Sequence, residues 1–150
     1  MQGALAMCLA VATSATDAAA VTVSDCGDYR TTIQALAEPW EANTRTFAKG
    51  AIRVAVADTI EPAVGAVHLI VLHPPLDELG GPACHVISAS DSLGFSAMDF
   101  GAIRADYDPA RGLGLVVPVG LYNEATAGFD DALLSVTINQ STGSISARVD

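Results

Sequence analysis

Basic residues are scarce in this chain. Only 7 of its 150 residues are Lys or Arg, against 17 Asp and Glu, and the formal net charge at pH 7 is −10. The cations are scattered rather than clustered, at positions 30, 45, 49, 53, 104, 111 and 148. Nucleic acids and anionic membrane surfaces are bound by clustered Lys and Arg. This acidic composition therefore argues against both as partners.

Long apolar runs are also missing. The run near the N-terminus, Ala4 to Ala12, has nine residues, whereas a membrane-spanning helix needs about 20. Ala18 and Ala20 follow it as an A-x-A cleavage signature before Val21. Although no Lys or Arg precedes the run, this order predicts a secretory signal peptide over residues 1–20 and a single β-rich domain over residues 21–150. A disordered Ala-rich tail, or a lipid anchor at Cys8, is the alternative.

Cysteine is rare, with three residues in the chain. Outside the predicted signal peptide, Cys26 and Cys84 form an even pair, and such a pair in an exported protein favours a disulfide. Two separate buried thiols are the alternative. The pair and the signal peptide together predict a periplasmic or secreted protein.

Several motifs that would identify an enzyme or a cofactor site are absent. The sequence has no G-x-S-x-G, no H-E-x-x-H and no glycine-rich phosphate loop, so it predicts no cofactor and no catalytic residue. A Ser-His site assembled from dispersed residues needs no motif. A hydrolase using one of Ser88, Ser90, Ser92 or Ser96 therefore stays open as an alternative.

The apolar pattern is that of β-strands from residue 51 onward. Strict alternation, or a short continuous apolar run, predicts strands at 51–58, 66–73, 84–88, 113–122, 133–139 and 144–149, with one or two more between 95 and 107. The segment 66–73 is apolar throughout, so we expect a central strand. Pro118 cannot donate to a ladder, so we expect its strand to lie at an edge or to carry a bulge. The fold class is all-β, an antiparallel sandwich or roll of about seven to eight strands.

One short helix near the N-terminus would change this class to α+β. In the segment "DYRTTIQALAEPW", Asp28 is a suitable cap, Pro39 is a suitable end, and Ile33, Leu36 and Trp40 share one face. Thr31, Thr32 and Ile33 form helices poorly. We also expect Trp40, with Phe47, to anchor the core beneath this first segment.

Two long segments are similar to known sequences. Residues 37–88, "AEPWEANTRTFAKGAIRVAVADTIEPAVGAVHLIVLHPPLDELGGPACHVIS", and residues 99–119, "DFGAIRADYDPARGLGLVVPV", resemble an uncharacterised family of small secreted or periplasmic bacterial proteins. The resemblance implies export and a single compact domain. It implies no activity, cofactor or catalytic residue.

The stretch "HPPLDELGGPACH", residues 73–85, concentrates rare residue types. Imidazole and carboxylate are the ligands that zinc and similar ions prefer, so His73, Asp77 and His85 are the metal candidates. His68 precedes them, but its odd separation from His73 places the two side chains on opposite faces of a strand. The Pro-Pro and Gly-Gly pairs also suit a plain rigid connection between two strands. The two interpretations differ in whether His73 and His85 meet.

A second acidic motif lies in "DYDPARG". Asp106 and Asp108 fall on one side of a strand and could form a calcium corner, although the Pro and Gly also explain the motif as a hairpin turn. Taken together, the sequence predicts an exported, disulfide-stabilised, non-enzymatic module that binds an unknown protein, polymer or small ligand. The alternatives are a small metal-binding protein centred on residues 68–85 and a dispersed-site hydrolase.

Overall fold

Two antiparallel sheets make up the fold of this protein. The computed structural model describes residues 21–150, so the predicted signal peptide and Cys8 lie outside the described residues. Ten strands follow one another along this part of the chain: β1 (Thr22–Asp25), β2 (Thr44–Phe47), β3 (Ile52–Asp58), β4 (Val67–Leu76), β5 (Pro82–Ser88), β6 (Ala97–Met98), β7 (Arg104–Asp108), β8 (Gly112–Asn123), β9 (Gly128–Ile138) and β10 (Ile145–Val149). The first sheet has the order β1-β5-β4-β3-β2, and the second has the order β10-β9-β8 with β6 and β7 both pairing with β8.

The predicted antiparallel β-sandwich is confirmed. The strand count is higher than the expected seven to eight because β1 and β2, of four residues each, precede the clear alternation. One continuous core fills the space between the sheets, where alternate residues such as Leu69, Val71, Leu115, Val117 and Leu134 are buried. As expected from its apolar composition, β4 is the central strand of the first sheet.

The helix expected over residues 28–40 is wrong. Asp28 does cap a turn, since its side chain accepts a hydrogen bond from Arg30 N, but that 3₁₀ turn covers only Tyr29–Thr31. Thr32 is extended (φ −77°, ψ 155°) before a second 3₁₀ turn at Ile33–Ala35. Leu36 then leaves the turn as an isolated bridge to Ala57. The β-branched residues in the middle of this segment favour extended backbone, and the bridge to β3 continues it.

Trp40 does not anchor the core, which corrects a second expectation. Its side chain is 48% exposed, because the chain enters an irregular turn where a helical face was expected. Phe47 alone of the pair packs against the core. No helix among residues 21–150 has the length and apolar character needed to cross a membrane.

Pro118 is also placed differently from expectation. Its strand, β8, lies inside the second sheet and keeps continuous register with β9, with Pro118 opposite Leu133. On its other side β8 pairs with β6 at Val119 and Gly120 and with β7 up to Val116. Pro118 therefore lies between the part of β8 that pairs with β7 and the part that pairs with β6. Its carbonyl accepts a hydrogen bond from Asp99 N, and no neighbouring strand requires a backbone N–H at this position.

The predicted disulfide between Cys26 and Cys84 is present. It joins the residue after β1 to β5, and Cys26 N also donates to Cys84 O. The two cysteines are separated by 58 positions, so the chain-entropy model assigns the bond about 4 kcal/mol. Its structural effect is to fix β1 at the edge of the first sheet, beside the histidine-bearing strands.

Candidate functional site

His73 and His85 meet inside the sandwich. Val71 lies opposite His85 and His73 lies opposite Ala83 in the β4–β5 pairing, so the two imidazoles project from the same face as diagonal neighbours. This is the face that carries Leu69 and Val71 into the core, and His73 is 0% exposed. The alternation of β4 sends His68 to the opposite face, as its odd spacing predicted.

The two rings form one link in a chain of polar contacts. His73 Nδ1 lies 2.6 Å from Pro74 O, and His73 Nε2 lies 2.8 Å from His85 Nδ1. At the outer end, His85 Nε2 lies 3.4 Å from an Asp25 carboxylate oxygen. The rings are nearly parallel, with centroids 5.0 Å apart and planes 14° from each other. We call His73, His85 and Asp25 the imidazole chain.

Asp77 is not part of this chain. Its Oδ1 accepts hydrogen bonds from Leu79 N and Gly81 N, and its backbone N donates to Gly81 O. Asp77 thus closes the turn of the β4–β5 hairpin, and the proposed ligand trio is split between a buried pair and a surface turn. In residues 21–150 no group of three or more His, Cys, Asp and Glu side chains converges as a metal ion would require.

Burial shapes the protonation of His85. Loss of water contact lowers the pKa of His85 from its ordinary value, proximity to His73 lowers it further, and Asp25 opposes both effects. Asp25 acts weakly because its side chain is 93% exposed and water screens the pair.

A second polar network occupies the opposite face of the first sheet. His68 Nδ1 lies 2.8 Å from Ser88 Oγ, and Arg30 Nη1 donates to the same oxygen at 3.0 Å. Arg30 also donates to Ser24 Oγ and holds both carboxylate oxygens of Asp28. Each member has a partner, so the buried His68 and Ser88 and the half-buried Arg30 are satisfied within the protein, with Asp28 at the exposed end.

The charges in this network follow from its geometry. Burial lowers the pKa of His68 to about 4, and Arg30 contributes to the lowering. The hydrogen bonds from Arg30 lower the pKa of Asp28, and Asp28 in turn raises the pKa of Arg30. Near neutral pH the network is therefore an Arg30–Asp28 ion pair beside a neutral imidazole.

Ser88 is the serine that a hydrolase would require, since it lies within hydrogen-bond reach of a histidine. The hydroxyl is sealed, however: Ser88 is 1% exposed. Arg30 donates to its oxygen, which occupies a lone pair that a nucleophile needs. A substrate carbonyl has no approach to Oγ, so this Ser-His contact serves packing of the polar cluster.

Asp108, one of the two residues of the possible calcium corner, is engaged by its own turn. Asp108 accepts from Ala110 N at 2.8 Å and from Arg111 Nε at 3.3 Å, and its pKa is lowered chiefly by the Ala110 bond. The carboxylate closes the β7–β8 turn that the sequence predicted. Asp106 faces Gly114 across the pairing and lines the same surface depression as Asp108, but among residues 21–150 no third carboxylate, His or Cys joins them.

An open cleft lies on the outer face of the second sheet, and no pattern in the sequence predicts it. Its volume is about 510 Å³, within the roughly 300–1,000 Å³ of small-ligand sites. Gly120 lines it without a side chain, and a Cβ added there would lie 2.5 Å from Ser96 Oγ. We call this the outer cleft; its floor and rim include Ala97, Asp99, Pro118, Gly120, Asp131, Leu133 and Asp150.

The three carboxylates of the outer cleft differ in their partners. Asp99 accepts from Ala102 N, and Asp150 contacts both Arg148 Nε and Ser135 Oγ. Across residues 21–150, the Asp131 carboxylate has no side-chain or backbone hydrogen-bond partner and it faces solvent.

No protein-family model, curated protein or solved structure matches this chain.

Proposed function

We propose that this protein is an exported, disulfide-stabilised, non-enzymatic binding module of the bacterial periplasm or exterior. The disulfide supports an oxidising location, because such bonds persist outside the cytoplasm. The predicted signal peptide and the resemblance to a secreted family support the same location.

The absence of catalysis is supported by where the reactive side chains lie. His73, His68 and Ser88 are buried, and each is engaged by a neighbour inside the protein. A general base or nucleophile must reach its substrate within hydrogen-bond distance. His68 and His73 therefore contact only groups inside the protein, and we place ligand binding on the surface.

The observation that carries the proposal is the outer cleft. It is wide and open, and its floor contains Pro118, Leu133 and Ala97, which accept apolar groups. Asp131 is exposed at its rim without a partner among the described residues. Charge complementarity favours a ligand with an apolar body and one cationic group, such as an Arg- or Lys-containing peptide segment.

Three short peptides of equal length test this assignment. The purified protein is titrated with Ac-Leu-Arg-Leu-NH2, Ac-Leu-Gln-Leu-NH2 and Ac-Leu-Glu-Leu-NH2, and amide chemical shifts are followed by NMR. We expect the arginine peptide to bind most tightly and the glutamate peptide least. The affected amides should be those of Ala97, Gly120 and Leu133. Equal binding of all three peptides would refute the cationic preference, and no binding by any of them would refute the cleft as the site.

A matched pair of variants separates charge from shape. Asp131→Asn preserves the size of a side chain at the cleft rim and removes its charge. Asp106→Asn makes the same change on the same sheet but outside the outer cleft. The first should weaken the arginine peptide several-fold and leave the glutamine peptide unchanged, as expected for one exposed ion pair. The second should alter neither, and an equal loss in both variants would indicate a general electrostatic effect.

A further inference from the structure

The outer face of the first sheet is covered only in part. The segment between β1 and β2 lies over one region of this face, where Ala35 packs against Ala57 and Ile70. Beyond Ala57 the face is open, and Ala55 and Leu72 are only half-buried. A groove of about 300 Å³ lies there, which we call the β3–β4 groove. Its lining includes Thr44, Thr46, Arg53, Ala55, Ile70 and Leu72.

The strand register explains how this groove forms. Residues directly opposite each other in adjacent strands share one face of a sheet. Thr46, Arg53 and Leu72 therefore form one row across the outer face. Ala55 lies in the next row, opposite Ile70. Because the side chain of Ala55 ends at Cβ, the face dips at this position between the longer side chains of its neighbours.

Two arginines line the groove, and only one of them is available to a ligand. Arg45 Nη1 donates to Glu41 O and Thr44 O, and the Arg45 guanidinium lies over the Phe100 ring, 5.4 Å from its centre. Arg53 is exposed, and no carboxylate of residues 21–150 forms an ion pair with it. Within the described part of the chain, no Asp or Glu lines the groove. The groove therefore presents one positive charge beside an apolar surface.

This combination is complementary to an apolar group that carries one carboxylate. A guanidinium binds a carboxylate through two parallel hydrogen bonds, and the hydroxyl of Thr46, directly opposite Arg53, is a further donor. A doubly charged phosphate is a poorer match, because the net charge of the chain is −10 and a single cation would face the phosphate.

We propose that the β3–β4 groove is a second binding site and that it takes a small aliphatic carboxylic acid. The hydrocarbon chain lies along Ala55, Ile70 and Leu72, and the carboxylate pairs with Arg53. The groove and the outer cleft lie on opposite sides of the sandwich and select opposite charges. Binding in the groove therefore neither requires nor tests the ligand proposed for the outer cleft.

Two ligands of nearly equal shape test the charge preference. The purified protein is titrated with sodium octanoate and with octanamide, and amide chemical shifts are followed by NMR. We expect octanoate to bind several-fold more tightly than octanamide, with the largest shifts at Ala55 and Leu72. Butanoate should bind more weakly than octanoate, by up to about fourfold for each methylene that is no longer buried. Equal affinity for octanoate and octanamide, or shifts confined to other residues, would overturn the proposal.

Matched variants separate the charge of the groove from its shape. Arg53→Gln should weaken octanoate several-fold and leave octanamide unchanged. Arg104→Gln removes an exposed arginine of β7, in the second sheet, and should alter neither ligand. Ala55→Ile fills the groove with a residue that suits a strand and should weaken both ligands by roughly tenfold, as expected when about two methylenes lose their burial. Equal effects of the two arginine variants, or unchanged binding to Ala55→Ile, would refute the site.

Other occupants of the groove give different results in the same experiment. If a second copy of the chain fills the groove, the amide signals of Ala55 and Leu72 shift on dilution before any ligand is added. If an acidic peptide fills it, Ac-Leu-Glu-Leu-NH2 shifts these signals at a lower concentration than octanoate does. Either result would contradict the assignment of the groove to an aliphatic acid.

Discussion

Acidification should destabilise this protein through His68. The pKa of this histidine is about 4 in the folded protein, against about 6.5 in an unfolded chain. Between these two pH values His68 is protonated in the unfolded chain but stays neutral in the folded protein. Stability is therefore intact above about pH 6.5 and falls progressively as the pH drops toward 4.

The magnitude follows from the pKa difference. Each pKa unit corresponds to about 1.4 kcal/mol, so titration of His68 should lower the free energy of unfolding by on the order of 3 kcal/mol at pH 4 relative to pH 7. This is a large part of the roughly 5–15 kcal/mol that holds a domain folded. His68 is buried, so screening by water reduces the effect little.

Urea unfolding of wild type and His68→Asn at several pH values measures this contribution. Asn places an acceptor near the position of Nδ1 and retains a bond from Ser88, but it has no proton to bind. Unfolding is followed by far-UV circular dichroism rather than by tryptophan fluorescence, because Trp40 is already half exposed in the folded protein. The stability difference between the two proteins should change by on the order of 3 kcal/mol between pH 7 and pH 4. Parallel stability curves would show that His68 does not titrate as argued.

Three further outcomes follow from the same structure. Replacing Cys26 and Cys84 together by Ser should lower the free energy of unfolding by about 2–4 kcal/mol, measured in urea; an unchanged midpoint would contradict the stabilising role of the bond. Arg30→Gln should raise the pKa of His68, seen by NMR titration, because a nearby cation is removed; Lys49→Gln, far from this network, is the control and should leave it unchanged. Zinc added to the purified protein should not raise the melting temperature, since His73 Nε2 and His85 Nδ1 contact each other; a saturable increase would show that zinc binds and would contradict this prediction.

Much of the fold follows from local pattern. Alternation along β8 and β9 fixes which residues enter the core, and side-chain parity alone separates His68 from His73. The sequence leaves open whether His73 and His85 meet, because the Pro-Pro and Gly-Gly pairs also suit a plain rigid connection between two strands. The contact between His73 and His85 depends on the register of the β4–β5 pairing, because a shift of one residue would place the His85 side chain on the other face of the sheet.

Other features depend on contacts between distant segments. Arg30 reaches Ser88 across 58 positions, and no local pattern marks an arginine that will be held beneath a sheet. Trp40 was expected inside because large aromatics usually are, but the segment around it forms no helix and gives it no face to bury. The outer cleft exists only where β6, β8 and β9 come together, with Gly120 permitting the close approach of Ser96.

We propose that the protein is exported and works as a disulfide-stabilised module. Intact mass and N-terminal sequence of the protein recovered from cells expressing the full chain test it most directly. We predict extracytoplasmic protein that begins at Val21, has a mass two hydrogens below the reduced form, and shows no free thiol after denaturation. Cytoplasmic protein that keeps residues 1–20 and has free thiols at Cys26 and Cys84 would contradict it.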